Sequence, residues 1–325
     1  MPSLTLNGFL NSAVSNNISG LRAQISDRAE EATTGFQSDL VSHLNGRIDQ
    51  ALISQKALNE TTADQSRLEL RNIRLSITDS TMGSIRDLTE GLTLEMQSAI
   101  GVSDTPRQNT VAGEAKEALS EVLSRLNVRH GERYLFSGDA TATPPYADAE
   151  TLLSDIRNIS LTATDEADYA AQVQAYFDDP AGGFQTNFYQ GAQTASDADA
   201  VLSNQQGFAD LFQGLALMAL SSTTEGQPYA RAGTPALEEA LSRLEGGRTA
   251  LVDAQAGVGI RQESIQTEQR LLEREETLLT AAFVDLAGKD QYEAATELKE
   301  LEANLEASYL LTSRLSNLSI LNYLR

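Results

Sequence analysis

Few residues in this sequence have the type and spacing that chemistry needs. His43 and His130 are the only histidines, and nothing near either has the spacing of a metal site. Cysteine is absent, which removes disulfides, thiol nucleophiles and thiolate metal ligands. Asp165-Glu166-Ala167-Asp168 spells a helicase-like acidic tetrad, but no G-x-x-x-x-G-K-[ST] loop accompanies it to hold a nucleotide phosphate. Acidic residues at the first turn of a helix, facing the positive end of its dipole, account for it more simply. Gly257-Val258-Gly259 is too short for a dinucleotide fingerprint and sits inside a helical pattern, where it predicts a kink or a close helix–helix approach. Carboxylates crowd the middle of the chain, yet there is no D-x-[DN]-x-[DN]-G loop, and no other constellation fixes a geometry. Glu273, Glu275 and Glu276 with Arg270 and Arg274 read as a solvated face of spaced charges. The expectation is a chain that is not an enzyme, with no cofactor and no metal.

Composition narrows the partners. The formal charge is −22, from 24 basic and 46 acidic residues. Such a surface repels nucleic acid and anionic lipid, so neither is expected as a partner. No apolar stretch approaches the ~20 residues that span a bilayer. No charged side chain precedes Arg22, and Asn7, Asn11, Asn16 and Asn17 interrupt the apolar residues, so the start does not read as a cleaved secretory signal.

Helical period dominates the elements that would position any site. Val14, Ile18, Leu21 and Ile25 step by alternating threes and fours, as do Val41, Leu44, Ile48, Ala51, Gln55 and Leu58. Leu70, Ile73 and Ile77 follow, then Leu88 and Leu92. Such narrow stripes suit long paired helices. Asp104-Thr105-Pro106 marks a turn, and a helix over 107–129 is predicted to fold back on the first. Residues 138–200 hold 11 acidic residues and one basic one, Arg157. Short helices are predicted there near 151–159 and 166–177, with a strand-like segment at 184–189. Helix resumes over 208–220. After a Gly- and Pro-containing loop it runs from Ala236 almost to the end, with a break at 287–290. The final stripe is Leu298, Leu301, Leu305, Ser308, Thr312 and Leu315, with Leu311 and Leu318 beside it.

The two ends are unusual. Residues 1–21 carry no charged side chain, and residues 307–325 carry only Arg314 and Arg325. A lone amphipathic helix is marginal in water, because most helix stability comes from packing. Burying an exposed Leu or Ile is worth roughly 1.5–3 kcal/mol. The tips must therefore find each other, a neighbouring copy or a chaperone.

Arg133-Tyr134-Leu135-Phe136-Ser137-Gly138 resembles a signature of the hook-associated protein 3 family, within the flagellin superfamily. Gln255-Ala256-Gly257-Val258-Gly259-Ile260-Arg261 is similar to a second stretch of that family. Residues 290–324, with Tyr292-Glu293-Ala294, Leu298 and Ser319-Ile320-Leu321-Asn322-Tyr323-Leu324, resemble the flagellin-type C-terminus. Thr34-Gly35-Phe36 stands in the place of the family's Thr-Gly-Lys, and Ser38-Asp39-Leu40-Val41 stands where Ser-Asp-Asp-Pro usually follows. The acidic middle segment matches no pattern of the family.

The resemblance implies a mainly α chain: a long helical bundle or coiled coil built from both ends, with a small mixed α+β domain inserted in the middle. Residues 1–45 and 286–325 would form the terminal coiled-coil domain, 46–137 and 205–285 a helical bundle, and 138–204 the acidic outer insert. It implies a structural subunit of the bacterial flagellum that joins hook to filament, or alternatively the filament flagellin. It implies an extracellular location reached through the flagellar type III apparatus. The implied partners are further copies of the chain, hook-associated protein 1, flagellin, and a cytoplasmic chaperone for the C-terminal helix. The expected assembly residues are Val14, Ile18, Leu21, Ile25, Leu298, Leu301, Leu305, Leu311, Leu315 and Leu318, and Tyr134, Leu135, Phe136, Ser137 and Gly138 form the family signature.

Overall fold

The structure is a computed structural model that describes the backbone of residues 3–44 and 46–323 and the side chains of residues 14–44 and 46–314. It is mainly α-helical, with long helices from both ends that pack together. The elements are α1 (Ser3–Thr34), α2 (Leu40–Leu44), α3 (Ile48–Thr89), α4 (Leu92–Gly101), α5 (Thr105–Leu126), β1 (Arg129–His130), β2 (Arg133–Tyr134), α6 (Ala149–Thr162), α7 (Glu166–Asp178), α8 (Gln206–Leu220), α9 (Pro235–Ala287) and α10 (Gln291–Tyr323). A π-helical turn, Phe184–Phe188, lies between α7 and α8. The described residues fall into two compact units, one from Met1–Ser66 with Arg270–Arg325 and one from Arg67–Gln269. No helix among the described residues is long and apolar enough to cross a membrane.

Helix ends follow the local chemistry. The Asp104 carboxylate caps α5 by accepting from the Arg107 amide at 3.1 Å, with Pro106 in the first turn. Asp148 caps α6 through the Thr151 amide at 2.8 Å. Asp165 caps α7, accepting from the Ala167 and Asp168 amides at 3.0 and 2.9 Å. Each cap satisfies donors that the first turn of a helix leaves unpaired. The acidic tetrad at 165–168 is thus a helix start, as its composition suggested.

In the unit 67–269 the centre is α8. Every residue from Phe208 to Leu220 except Asp210 is buried, Gln213 included. A helix that is apolar on all sides belongs inside a core. On one side α5 lays down Val111, Ala115, Leu119, Val122 and Leu126. α6 and α7 also pack on α8. α9 comes close enough that a Cβ on Gly214 would lie 2.6 Å from the Leu244 Cβ and 2.9 Å from the Ala240 carbonyl. Tyr146 fills the space between Phe188 and Phe212, with ring centroids at 5.3 and 4.8 Å, and its hydroxyl donates to the Ser203 carbonyl. Arg243 ties three elements together, reaching Asp178 at 2.7 Å, Asp210 at 2.8 Å and Glu239 at 2.8 Å.

Three local expectations change. The 184–189 segment is a π-helical turn, closed by the Tyr189 amide donating to the Phe184 carbonyl at 2.8 Å. Phe184, Phe188 and Tyr189 are all buried. A strand would turn the adjacent Phe188 and Tyr189 to opposite faces, whereas here Tyr189 alone makes an isolated bridge, to Tyr146. The helix through Leu88 and Leu92 is broken at Gly91, which has a φ of 80°. As a result α5 doubles back on the short α4 and packs on α8. Finally, a Cβ on Gly257 or Gly259 would meet nothing within 4 Å, and α9 runs through both without interruption. Close helix approach is therefore not what these glycines serve.

Candidate assembly site

The expected assembly residues lie on α1 and α10, which pack on each other within the chain. Arg22 pairs with Tyr309, Arg28 with Glu297, and Thr33 with Gln291. The sequence numbers rise on one helix as they fall on the other, so the pair is antiparallel. On α1 the half-buried stripe is Val14, Ile18, Leu21, Ile25 and Arg28. On α10 it is Ala294, Leu298, Leu301, Leu305, Ser308 and Thr312, with Ala294 fully buried. Both stripes step by alternating threes and fours, the register of a two-helix seam. Leu311 falls off the seam and is 60% exposed, beside Leu310 at 59%. The side chains of Leu315 and Leu318 lie outside the described residues.

Polar contacts fix the register of the seam. The Arg22 guanidinium donates to the Tyr309 hydroxyl from Nε at 3.1 Å and from Nη2 at 2.6 Å. At the far end, α1 leads into a short clasp with the turn between α9 and α10. The Gln37 amide donates to the Ala287 carbonyl at 2.9 Å, and the Lys289 amide donates to the Gly35 carbonyl at 2.9 Å. Phe36 makes an antiparallel bridge with Gly288 and sets its ring 5.3 Å from that of Phe283. Asp290 starts α10 by accepting from the Tyr292 and Glu293 amides at 2.8 and 3.2 Å. The break at 287–290 was legible in the sequence. Its pairing with 35–37 was not, because a two-residue bridge leaves no periodic pattern.

Beneath the clasp sits Glu31, 1% exposed. Its carboxylate accepts from the Ser38 amide and hydroxyl, each at 3.1 Å, and pairs with Arg28. Burial by itself would push this carboxyl up, but the Ser38 amide, Arg28 and the Ser38 hydroxyl outweigh it and hold the group below the usual glutamate range. Arg28 also reaches Glu297 at 2.8 Å. Lys289 joins Glu297 at 3.3 Å and Glu293 at 3.1 Å. Sequence reading passed over Glu31. The available signal was a carboxylate three residues after Arg28, close to the apolar register.

The signature residues lie in the other unit and do structural work there. Tyr134 pairs with Arg129 across the two-stranded ribbon, under the Arg129 guanidinium at 5.1 Å from the ring centroid. The half-buried Leu135 donates its amide to the Val128 carbonyl at 3.4 Å. Phe136 is fully buried, and its carbonyl accepts from the Ser203 hydroxyl at 2.9 Å. The Ser137 hydroxyl donates to the Thr143 carbonyl at 2.6 Å, and the Ser137 carbonyl accepts from the Ala192 amide at 2.9 Å. Gly138 has a φ of 59°, and a Cβ there would lie 2.5 Å from the Thr194 carbonyl. Only glycine fits such a position. The signature thus closes the start of the 138–204 segment onto its end. Arg71 completes the closure by gripping the buried Asp199 carboxylate at 2.6 and 3.2 Å.

His43 is exposed on α2 and His130 is half-buried in β1. Among the described residues no group of three or more His, Asp or Glu side chains converges on a metal-sized site.

No curated protein sequence matches this chain. Among solved structures, the crystal structure of FlgL from Bacillus cereus is similar, with 15% identity, 71% of this chain and 96% of that chain covered, and a TM-score of 0.38. The stretch that holds most of α9 and all of α10 has a sequence match of its own: residues 241–324 are similar to the bacterial flagellin C-terminal helical region.

Proposed function

We propose that this chain is a structural, non-enzymatic subunit of the bacterial flagellum that polymerises through its paired terminal helices. The observation that carries this reading is the flagellin C-terminal match over 241–324, because its last helix is the one that pairs with α1. A two-helix seam covers only one stripe of each helix. It leaves Leu310 and Leu311 open to further copies. In this reading residues 1–45 and 286–325 form the assembling coiled-coil domain, 46–137 and 205–285 a helical bundle domain, and 138–204 an inserted acidic domain. The protein is extracellular, exported through the flagellar type III apparatus, with a cytoplasmic chaperone covering α10 before export.

Within the flagellum we place the chain at the hook–filament junction, between hook-associated protein 1 and flagellin. The support is the segment Arg133–Gly138, which resembles the junction family's signature. The filament flagellin is the second reading, favoured by the match to flagellin's own C-terminal region. Immunogold labelling separates the two. A single spot at the hook tip supports the junction protein, and label along the whole filament supports flagellin. Label on neither structure overturns both. The seam itself is tested by Leu305→Asp, which buries a charge in the α1–α10 contact. The expected outcome is a soluble chain with its 67–269 unit folded by near-ultraviolet circular dichroism but without incorporation into filaments. Normal incorporation would remove the seam from the mechanism.

A further inference from the structure

The charged groups under the clasp form a chain of alternating sign across the terminal pair. Glu31 on α1 is paired with Arg28, Arg28 with Glu297 on α10, Glu297 with Lys289 of the turn, and Lys289 with Glu293. Asp27 lies near Arg28, and Asp39 and Asp290 stand at the two flanking helix starts, where each caps backbone amides. Glu31 is the sole member that is fully buried, with side-chain exposure of 2%, against 33% for Arg28, 36% for Glu297, 13% for Lys289 and 61% for Glu293. It is also the member that ties the end of α1 to the segment that follows it, since the Ser38 amide and hydroxyl both end on its carboxylate. That segment presents Gly35 and Gln37 to the residues between α9 and α10.

We propose that Glu31 is an acid-released latch on the α1–α10 pair, so that protonating this one carboxylate opens the terminal helices while the 67–269 unit stays folded. A protonated carboxyl cannot accept from two Ser38 donors and neutralise Arg28 together. The arginine does not titrate, so it would lose its one buried counter-charge and keep only the more exposed Glu297. Removing one partner from a buried charged hydrogen bond is costly, whereas loss at an exposed rim is nearly neutral. The sign follows from the direction of the shift. A glutamate held below its ordinary range stabilises the folded pair above the unfolded value of about 4.3. That stabilisation is lost as the pH falls through the lower folded value. The latch is a property of the chain itself and does not depend on where the chain assembles.

The absence of cysteine makes the test direct. Ser19 on α1 and Ser313 on α10 are exposed. Replacing both with Cys allows a spin-label pair to be read by electron–electron resonance in the full chain. The expected result is a narrow distance distribution at pH 7 that broadens and lengthens below about pH 4.3, while the near-ultraviolet signal of the buried tyrosines persists. Glu31→Gln imitates the protonated latch. It should lower the ratio of closed to open pairs about tenfold or more at pH 7 and remove the acid dependence. Glu293→Gln, at the exposed end of the chain of charges, should behave as the parent. Three results would overturn the latch: a closed pair in Glu31→Gln with the parental acid midpoint, an equal shift from Glu293→Gln, or opening that coincides with loss of the tyrosine signal.

Discussion

Residue by residue, the 67–269 unit is organised by where its aromatic and polar side chains end. Burial pushes the Tyr146 hydroxyl far above the ordinary tyrosine range, and it does the same for Tyr169 and Tyr176. Tyr189 is pushed up to about 12, again by burial. A phenol whose folded pKa is raised stabilises the fold fully below the unfolded value of about 10, and that contribution is lost as the pH climbs through the folded value. The chain has nine tyrosines and no tryptophan, so phenolate absorbance near 295 nm can be followed without interference. Tyr146, Tyr169, Tyr176 and Tyr189 are expected to stay silent near pH 10 and to ionise together when the unit unfolds at higher pH. Reversible ionisation of all nine near pH 10 would contradict this burial. The apolar pattern announced the core in outline. It did not reveal that Tyr146 and Ser203 would meet, 57 residues apart, because no local spacing encodes that contact.

The helices vary in how their boundaries are set. α7 starts at a local cap, with two amides on one Asp165 carboxylate. Asp165→Ala is expected to cost about 1 kcal/mol, measured as a lower denaturation midpoint without a change in slope. An unchanged midpoint would mean that packing on α6 and α8, and not the cap, holds the helix in place. The stops at 101–104 and 287–290 are of the same local kind and could be read from turn residues. The break at Gly91 could not, since a lone glycine inside a periodic stretch is tolerated at a cost of about 1 kcal/mol and need not end a helix. The segment 184–189 was misread for a related reason. Phe, Thr and Tyr are residue types that suit a strand, but Phe188 and Tyr189 are both buried at the end of a π-helical turn.

At the scale of the whole molecule, the two compact units differ in how they are held. The unit Arg67–Gln269 has an inner helix, α8, enclosed by apolar side chains. The unit Met1–Ser66 with Arg270–Arg325 rests on an α1–α10 contact whose described Val, Leu and Ile seam residues are half-buried, and on the clasp. Hydrophobic stabilisation scales with the area removed from water. Calorimetry of the dispersed chain is therefore expected to show two transitions, the first assigned by hydrogen exchange to the terminal unit. A single transition in which α1, α8 and α10 lose protection together would show that the units are not independent.

The sequence by itself determined the helical character, the charge-poor ends, the seam register on α10 and the absence of cysteine chemistry. All of these are set by residue type and short-range period, which depend on neighbours along the chain. Only the tertiary structure decided that α1 covers α10 in the same molecule, that Glu31 becomes the buried carboxylate of the clasp, and that Tyr134–Gly138 closes the 138–204 segment. Those outcomes depend on pairs such as Gly35 and Lys289, far apart along the chain. Their meeting is rewarded only after loop closure and burial, and neither has a local signature.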